Sequence, residues 1–214
     1  MNVDWICADA LPWLEQRRGE CGAIVTSPPD ANEVGLGLAA YTEWLRRAVS
    51  LCFGAASPGC PVVFYVTDRL HDGRWFSKPA FIDRVVRWNA PTPVEYGLLW
   101  HKVVLRRQVG ATDLHRPTYA HLVAYGDEHC RPGARTPDVI APSRSTYSNG
   151  TPLAAVTRAV AHVEQHSSVG LLTDPFCGQG AIPQYAVRAG LRAVGVDIDP
   201  DMIAACNPPQ EALL

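Results

Sequence analysis

Asp174-Pro175-Phe176-Cys177-Gly178-Gln179-Gly180 follows the apolar run Gly170-Leu171-Leu172 and precedes a helical pattern from Ala181 to Arg188. A strand that ends in a Gly-x-Gly loop and turns into a helix is the nucleoside-binding corner of an open α/β sheet. Glycines there permit a tight turn and let the backbone approach a ligand with no Cβ between them. The full G-x-G-x-x-G is absent, because Ile182-Pro183 follows Gly180. The next apolar run ends in Gly195-Val196-Asp197-Ile198-Asp199-Pro200. A carboxylate at the tip of this second strand, roughly 20 residues after the glycine loop, is placed to accept from a ribose hydroxyl. Spacing alone fits NAD and S-adenosylmethionine equally.

Outward from that corner the same alternation continues. Thr26-Ser27-Pro28-Pro29-Asp30 closes a second apolar strand, Ala23-Ile24-Val25. Strands are predicted at about 3–7, 22–26, 61–66, 95–102, 119–125, 170–174 and 192–196. Helical patterns lie between them. From Tyr41 to Phe53, residues Trp44, Leu45, Ala48, Val49 and Cys52 share one face. Pro79 and Pro152 suit the starts of helices over Ala80–Trp88 and Leu153–His166, where a missing N–H costs nothing. Pro200 opens a last short helix. The prediction is a Rossmann-like α/β fold: a seven-stranded, mostly parallel sheet with helices on both faces. Runs 95–102 and 119–125 lack a helix between them and are expected as an antiparallel pair at one edge.

A chain of 214 residues with 47% hydrophobic content forms one domain, 1–214. No apolar run approaches the ~18–20 residues that span a bilayer, and Met1-Asn2-Val3-Asp4-Trp5 has no secretory pattern. Seven scattered cysteines with no C-x-x-C pair argue against a disulfide framework and a zinc site, and for a reducing cytoplasm. No metal is expected, and oligomeric state is not legible. Net charge is −2, yet residues 66–145 hold 12 of the 19 Lys+Arg and only 8 of the 21 Asp+Glu. A basic middle suits a polyanion.

Asp174-Pro175-Phe176-Cys177-Gly178-Gln179-Gly180 resembles the DPF-x-G-x-G loop of the DNA amino-methyltransferases, and Gly195–Pro200 resembles their ribose-binding strand end. Thr26-Ser27-Pro28-Pro29 resembles their catalytic loop, which comes first in the chain of the permuted β-type subgroup, as here. Cys7-Ala8-Asp9-Ala10 before Trp13-Leu14 is similar to the family's opening, whose Asp lies near adenine. Asn149-Gly150-Thr151-Pro152 is similar to its segment over the methionine moiety. The resemblance implies S-adenosyl-L-methionine as cofactor, held by Asp9, Thr26, Thr151, Asp174, Phe176, Cys177, Gly178, Gly180, Asp197 and Ile198. It implies a catalytic loop made of Ser27, Pro28, Pro29 and Asp30.

The chemistry of that loop follows from its acceptors. A ring-conjugated amine is a poor nucleophile, because its lone pair is delocalised. The Ser27 hydroxyl and Pro28 carbonyl would accept its N–H groups and stabilise charge as the methyl arrives. Two prolines hold that geometry before substrate binds. Asp30 departs from the family, where an aromatic residue stacks on an extruded base. Three explanations fit: Asp30 reads a donor edge while Tyr41 or Trp75 stacks; the substrate is an RNA base, a cationic ring or a small molecule; or activity is lost. Glu33, Arg74, Trp75 and Lys78 are the expected substrate contacts, with loops 103–118 and 126–150 as recognition insertions. Trp100, His101 and His121, inside strands, are expected as structural side chains. With few residues left to read a DNA sequence, base methylation of tRNA or rRNA is slightly preferred to DNA. A small-molecule methyltransferase and an inactive partner of the same fold are the further readings.

Overall fold

In the computed structural model, residues 2–89, 95–106, 117–130, 136–145 and 150–206 are described. Asn149, His115, Arg116 and much of both expected insertions lie outside them. The chain runs β1 (Val3–Cys7), α1 (Ala10–Glu15), β2 (Ala23–Thr26), α2 (Leu38–Ala55), β3 (Val62–Val66), β4 (Arg69–His71), β5 (Arg74–Phe76) and α3 (Lys78–Asn89). It continues β6 (Gly97–Leu105), β7 (Tyr119–Gly126), β8 (Val139–Ile140), α4 (Leu153–His166), β9 (Leu171–Asp174), α5 (Ala181–Arg188), β10 (Arg192–Asp197) and α6 (Pro200–Cys206).

One sheet has the order β1-β10-β9-β2-β3-β7-β6-β8, with β1 to β3 in that order all parallel. The expected antiparallel pair exists as β6 and β7, but two features were not foreseen. β8 falls within the expected 126–150 loop and pairs in parallel with β6, making the outer edge. The main sheet therefore has eight strands rather than seven. A two-residue strand carries too little periodicity to be read from sequence. The second surprise is a separate hairpin, β4–β5.

Both faces of the sheet are covered, which is why β2 is apolar throughout rather than alternating. Ala23 and Val25 pack with Val156, Ala159 and Val160 of α4 on one face. Ile24 packs with Leu45, Val49 and Phe53 of α2 and Ile82 of α3 on the other. Phe53 touches the rings of Phe64, Tyr96 and Tyr125, which ties α2 to β3 and β7. Each such fully buried side chain contributes about 1.5–3 kcal/mol. The topology turns outward in opposite directions from the β9–β2 junction. That is the switch point, and the carboxyl ends of β9, β10, β2 and β3 all open beside it. No helix among the described residues is long and apolar enough to cross a membrane.

Candidate active site

At the switch point the two loops of the sequence are joined directly. Thr26 Oγ1 donates to Asp174 Oδ1 at 2.6 Å, and Phe176 N–H donates to the same oxygen at 3.2 Å. Both Thr26 and Asp174 are buried. Burial pushes the Asp174 carboxyl up to about 7, against the opposing pull of those two donors.

The glycine loop is held from beneath by Asp197. Its Oδ2 accepts from Gly178 N–H at 2.8 Å and its Oδ1 from Asp199 N–H at 2.9 Å. Gly180 caps α5 in the left-handed region, φ +74°. A Cβ there would lie 2.3 Å from the Trp5 ring, and one on Gly195 would lie 2.5 Å from the same ring. Trp5 of β1 thus fixes the loop by filling the space that side chains would take. Phe176 stands against Trp44 of α2, ring centroids 5.6 Å apart. Cys177 is buried, and Ile198 is exposed beside Asp197. Asp9 accepts from Leu11 N–H at 3.0 Å as the N-cap of α1, and Thr151 is buried just before α4. The loop is thus a backbone turn fixed by the Asp197 carboxylate below it and packed on Trp5, with the exposed Ile198 at its edge.

On the other side of the junction, Tyr41 Oη donates to Pro29 O at 3.0 Å. Among the described residues, neither the Ser27 hydroxyl nor the carbonyl of the buried Pro28 has a hydrogen-bond partner. Asp30 differs from expectation. Its carboxylate pairs with the Lys78 ammonium through Oδ1 and lies 3.5 Å from the Arg69 guanidinium through Oδ2. It is therefore not an open acceptor for a base edge. Lys78 is likewise not a free substrate contact: it is 1% exposed, at the start of α3, with its ammonium 5.6 Å from the Tyr41 ring centroid. A buried ammonium needs a counter-ion, and Asp30 is that ion. Glu33 folds back to accept from Asp30 N–H at 2.6 Å, closing the loop on itself. Tyr41 is buried and cannot stack on a substrate, whereas Trp75 is 53% exposed.

Beyond β3, Asp68 accepts from Lys78 N–H through Oδ1 and pairs with His121 Nε2 through Oδ2 at 3.1 Å. His121 Nδ1 in turn meets His101 Nε2 at 2.9 Å. Burial and the neighbouring His121 lower the pKa of His101. These histidines are partnered, as expected, and Trp100 packs edge-on against His162. Asp68 and Arg69, legible in sequence only as a strand end, were not among the expected site residues. The hairpin had a signal in Asp72-Gly73, the dipeptide of a tight two-residue turn. Both residues have positive φ, +47° and +72°.

No protein-family profile and no curated protein sequence matches the chain. Solved structures do. A candidate DNA modification methylase of Thermus thermophilus superposes with TM-score 0.72 over 96% of this chain and 93% of its own, at 21% identity. The chain shares the fold of that protein. The SAM complex of M1.HpyAVI gives TM-score 0.64 at 13% identity, covering 100% of this chain and 99% of that one. The cytosine-N4-specific PvuII DNA methyltransferase gives 0.69 at 14% identity, covering 100% and 90%. The Thermus protein and the PvuII enzyme are both named for DNA.

Proposed function

We propose that this protein transfers a methyl group from S-adenosyl-L-methionine to an exocyclic nitrogen of a nucleic-acid base. The Thr26–Asp174 hydrogen bond carries this reading, because it brings the amine-accepting loop beside the nucleoside cradle. Gly178, Gly180, Phe176 and Cys177 shape the cradle, with Asp197 at the ribose, Ile198 and Asp9 at the adenine, and Thr151 at the methionine moiety. The cofactor supplies an electrophilic methyl on a sulfonium. Ser27 Oγ and Pro28 O accept the two amine hydrogens, drawing nitrogen towards tetrahedral geometry and stabilising the charge it gains. One proton leaves the nitrogen after transfer, and a neutral thioether remains. Pro29, held by Tyr41, keeps the loop rigid. Arg74 and Trp75 are the exposed groups available to the substrate.

DNA is the favoured polymer, on the substrates that the structural neighbours' names carry. The preference for RNA expected from the compact middle has no support among them. The ion-paired Asp30 speaks against a cationic ring as substrate, since its charge is already met by Lys78. The test is methyl-label transfer to genomic DNA, tRNA and rRNA, with calorimetry of cofactor binding. Label is expected in DNA, lost in Ser27→Ala with cofactor affinity kept, and cofactor binding is expected to vanish in Asp197→Ala. Unchanged affinity in Asp197→Ala would remove the ribose assignment.

A further inference from the structure

The hairpin β4–β5 has two unlike faces. Its register pairs Arg69 with Phe76, Leu70 with Trp75 and His71 with Arg74. Side chains alternate along a strand, so Arg69, His71, Arg74 and Phe76 share one face, and Leu70 and Trp75 the other. At the root, Phe76 packs on Phe81 of α3, ring centroids 5.4 Å apart, and Arg69 reaches Asp30 of the catalytic loop. At the tip, Asp72-Gly73 makes a tight turn, and His71, Arg74 and Trp75 are exposed. Phe76 and Arg69 anchor its root beside the Pro-Pro loop, and a two-residue turn closes its tip. His71 lies 3.4 Å from the Asp72 carboxylate; the Arg74 guanidinium suits a phosphate, and an exposed indole suits a base or the gap a base leaves.

A base held at Ser27 and Pro28 must first leave its helix, which costs a few kcal/mol unless something takes its place. Asp30 is ion-paired and Tyr41 is buried, so the catalytic loop offers no ring for the purpose. We propose that the β4–β5 hairpin is a wedge for double-stranded nucleic acid, with Trp75 stacking in the duplex where the target base is extruded and Arg74 on the adjoining phosphate. This rests on the nucleic-acid reading above and extends it to how the base is made accessible.

The experiment uses the full chain and two duplexes carrying 2-aminopurine, one with it paired to thymine and one with it as an unpaired bulge. Affinity by anisotropy and 2-aminopurine emission are both recorded. Trp75→Ala is expected to weaken binding to the paired duplex roughly tenfold and to suppress its emission rise. It should weaken binding to the bulged duplex less than about threefold, because no base need be displaced. Trp75→Phe should retain most of the wild-type behaviour. Arg74→Gln should reduce the slope of log affinity against log salt by about one. Equal losses on both duplexes, no loss on either, or no wild-type binding to the paired duplex would overturn the wedge. None of these measurements needs turnover. Failed methyl transfer with an intact difference between duplexes would therefore strike the catalytic reading and leave the wedge standing.

Discussion

The two halves of the site are built by different means. Around the glycine loop, carboxylates hold backbone: Asp197 takes the N–H groups of Gly178 and Asp199, and Asp174 that of Phe176. These partners lie within about one βαβ unit of each other, so the motif carries its own geometry. Around the Pro-Pro loop, side chains hold side chains across the fold. Asp30 meets Lys78 and Arg69, and Asp68 meets His121. A backbone cradle tolerates changes of side chain but not of conformation. An ionic lock tolerates changes of conformation but not of charge.

The sharpest way to break that contrast is a change of conformation in the cradle. Gly180→Ala forces a Cβ into a left-handed residue against Trp5. It is expected to cost about 2–4 kcal/mol, read from urea midpoints, since strain and overpacking add. If it proves neutral, Trp5 does not fix the loop. The lock should respond to charge instead. Lys78→Met leaves Asp30 with only Arg69, and about 1–3 kcal/mol should be lost, less than for a fully buried pair because Asp30 is partly exposed. Asp30→Asn combined with Lys78→Met should recover much of that loss, and simple additivity would mean that the two do not act as a pair.

The remaining effect is one of pH at the joint between the halves. The Asp174 carboxyl is raised above its unfolded value, so the folded chain holds that proton to higher pH than the unfolded one. Its contribution is fully present below about pH 4 and is lost as pH rises through about 7. Asp174→Asn keeps an acceptor for Thr26 and removes the titration. Its melting temperature should fall less between pH 5 and 8 than that of the unaltered chain, and parallel curves would place the pH dependence elsewhere.

How much was legible follows the same division. The glycine loop, Asp197, the Pro-Pro loop and the alternation of strands and helices were readable, because each depends on neighbours in sequence. Asp9 was read through its resemblance to an adenine-side residue, and the fold adds a local role, the N-cap of α1. Lys78 was misread: in sequence it sits among Arg74, Trp75 and Phe76 and looks like part of a basic surface. Only packing shows that it points inward, where its charge must be neutralised. Asp30 was misread with it, since an unpartnered carboxylate and an ion-paired one are spelled alike. The hairpin was passed over although Asp72-Gly73 announced it, because three-residue strands give almost no periodicity.

The sequence by itself determined the parallel α/β scaffold and the position of its nucleoside corner. Strand pattern, glycine and proline act locally, through backbone conformation and burial. Tertiary structure alone decided what surrounds the Pro-Pro loop: which carboxylate is already neutralised, which ring is buried and which stands in solvent. Those outcomes depend on charges and surfaces brought together from about 50 residues apart, and no local rule of the chain encodes that meeting.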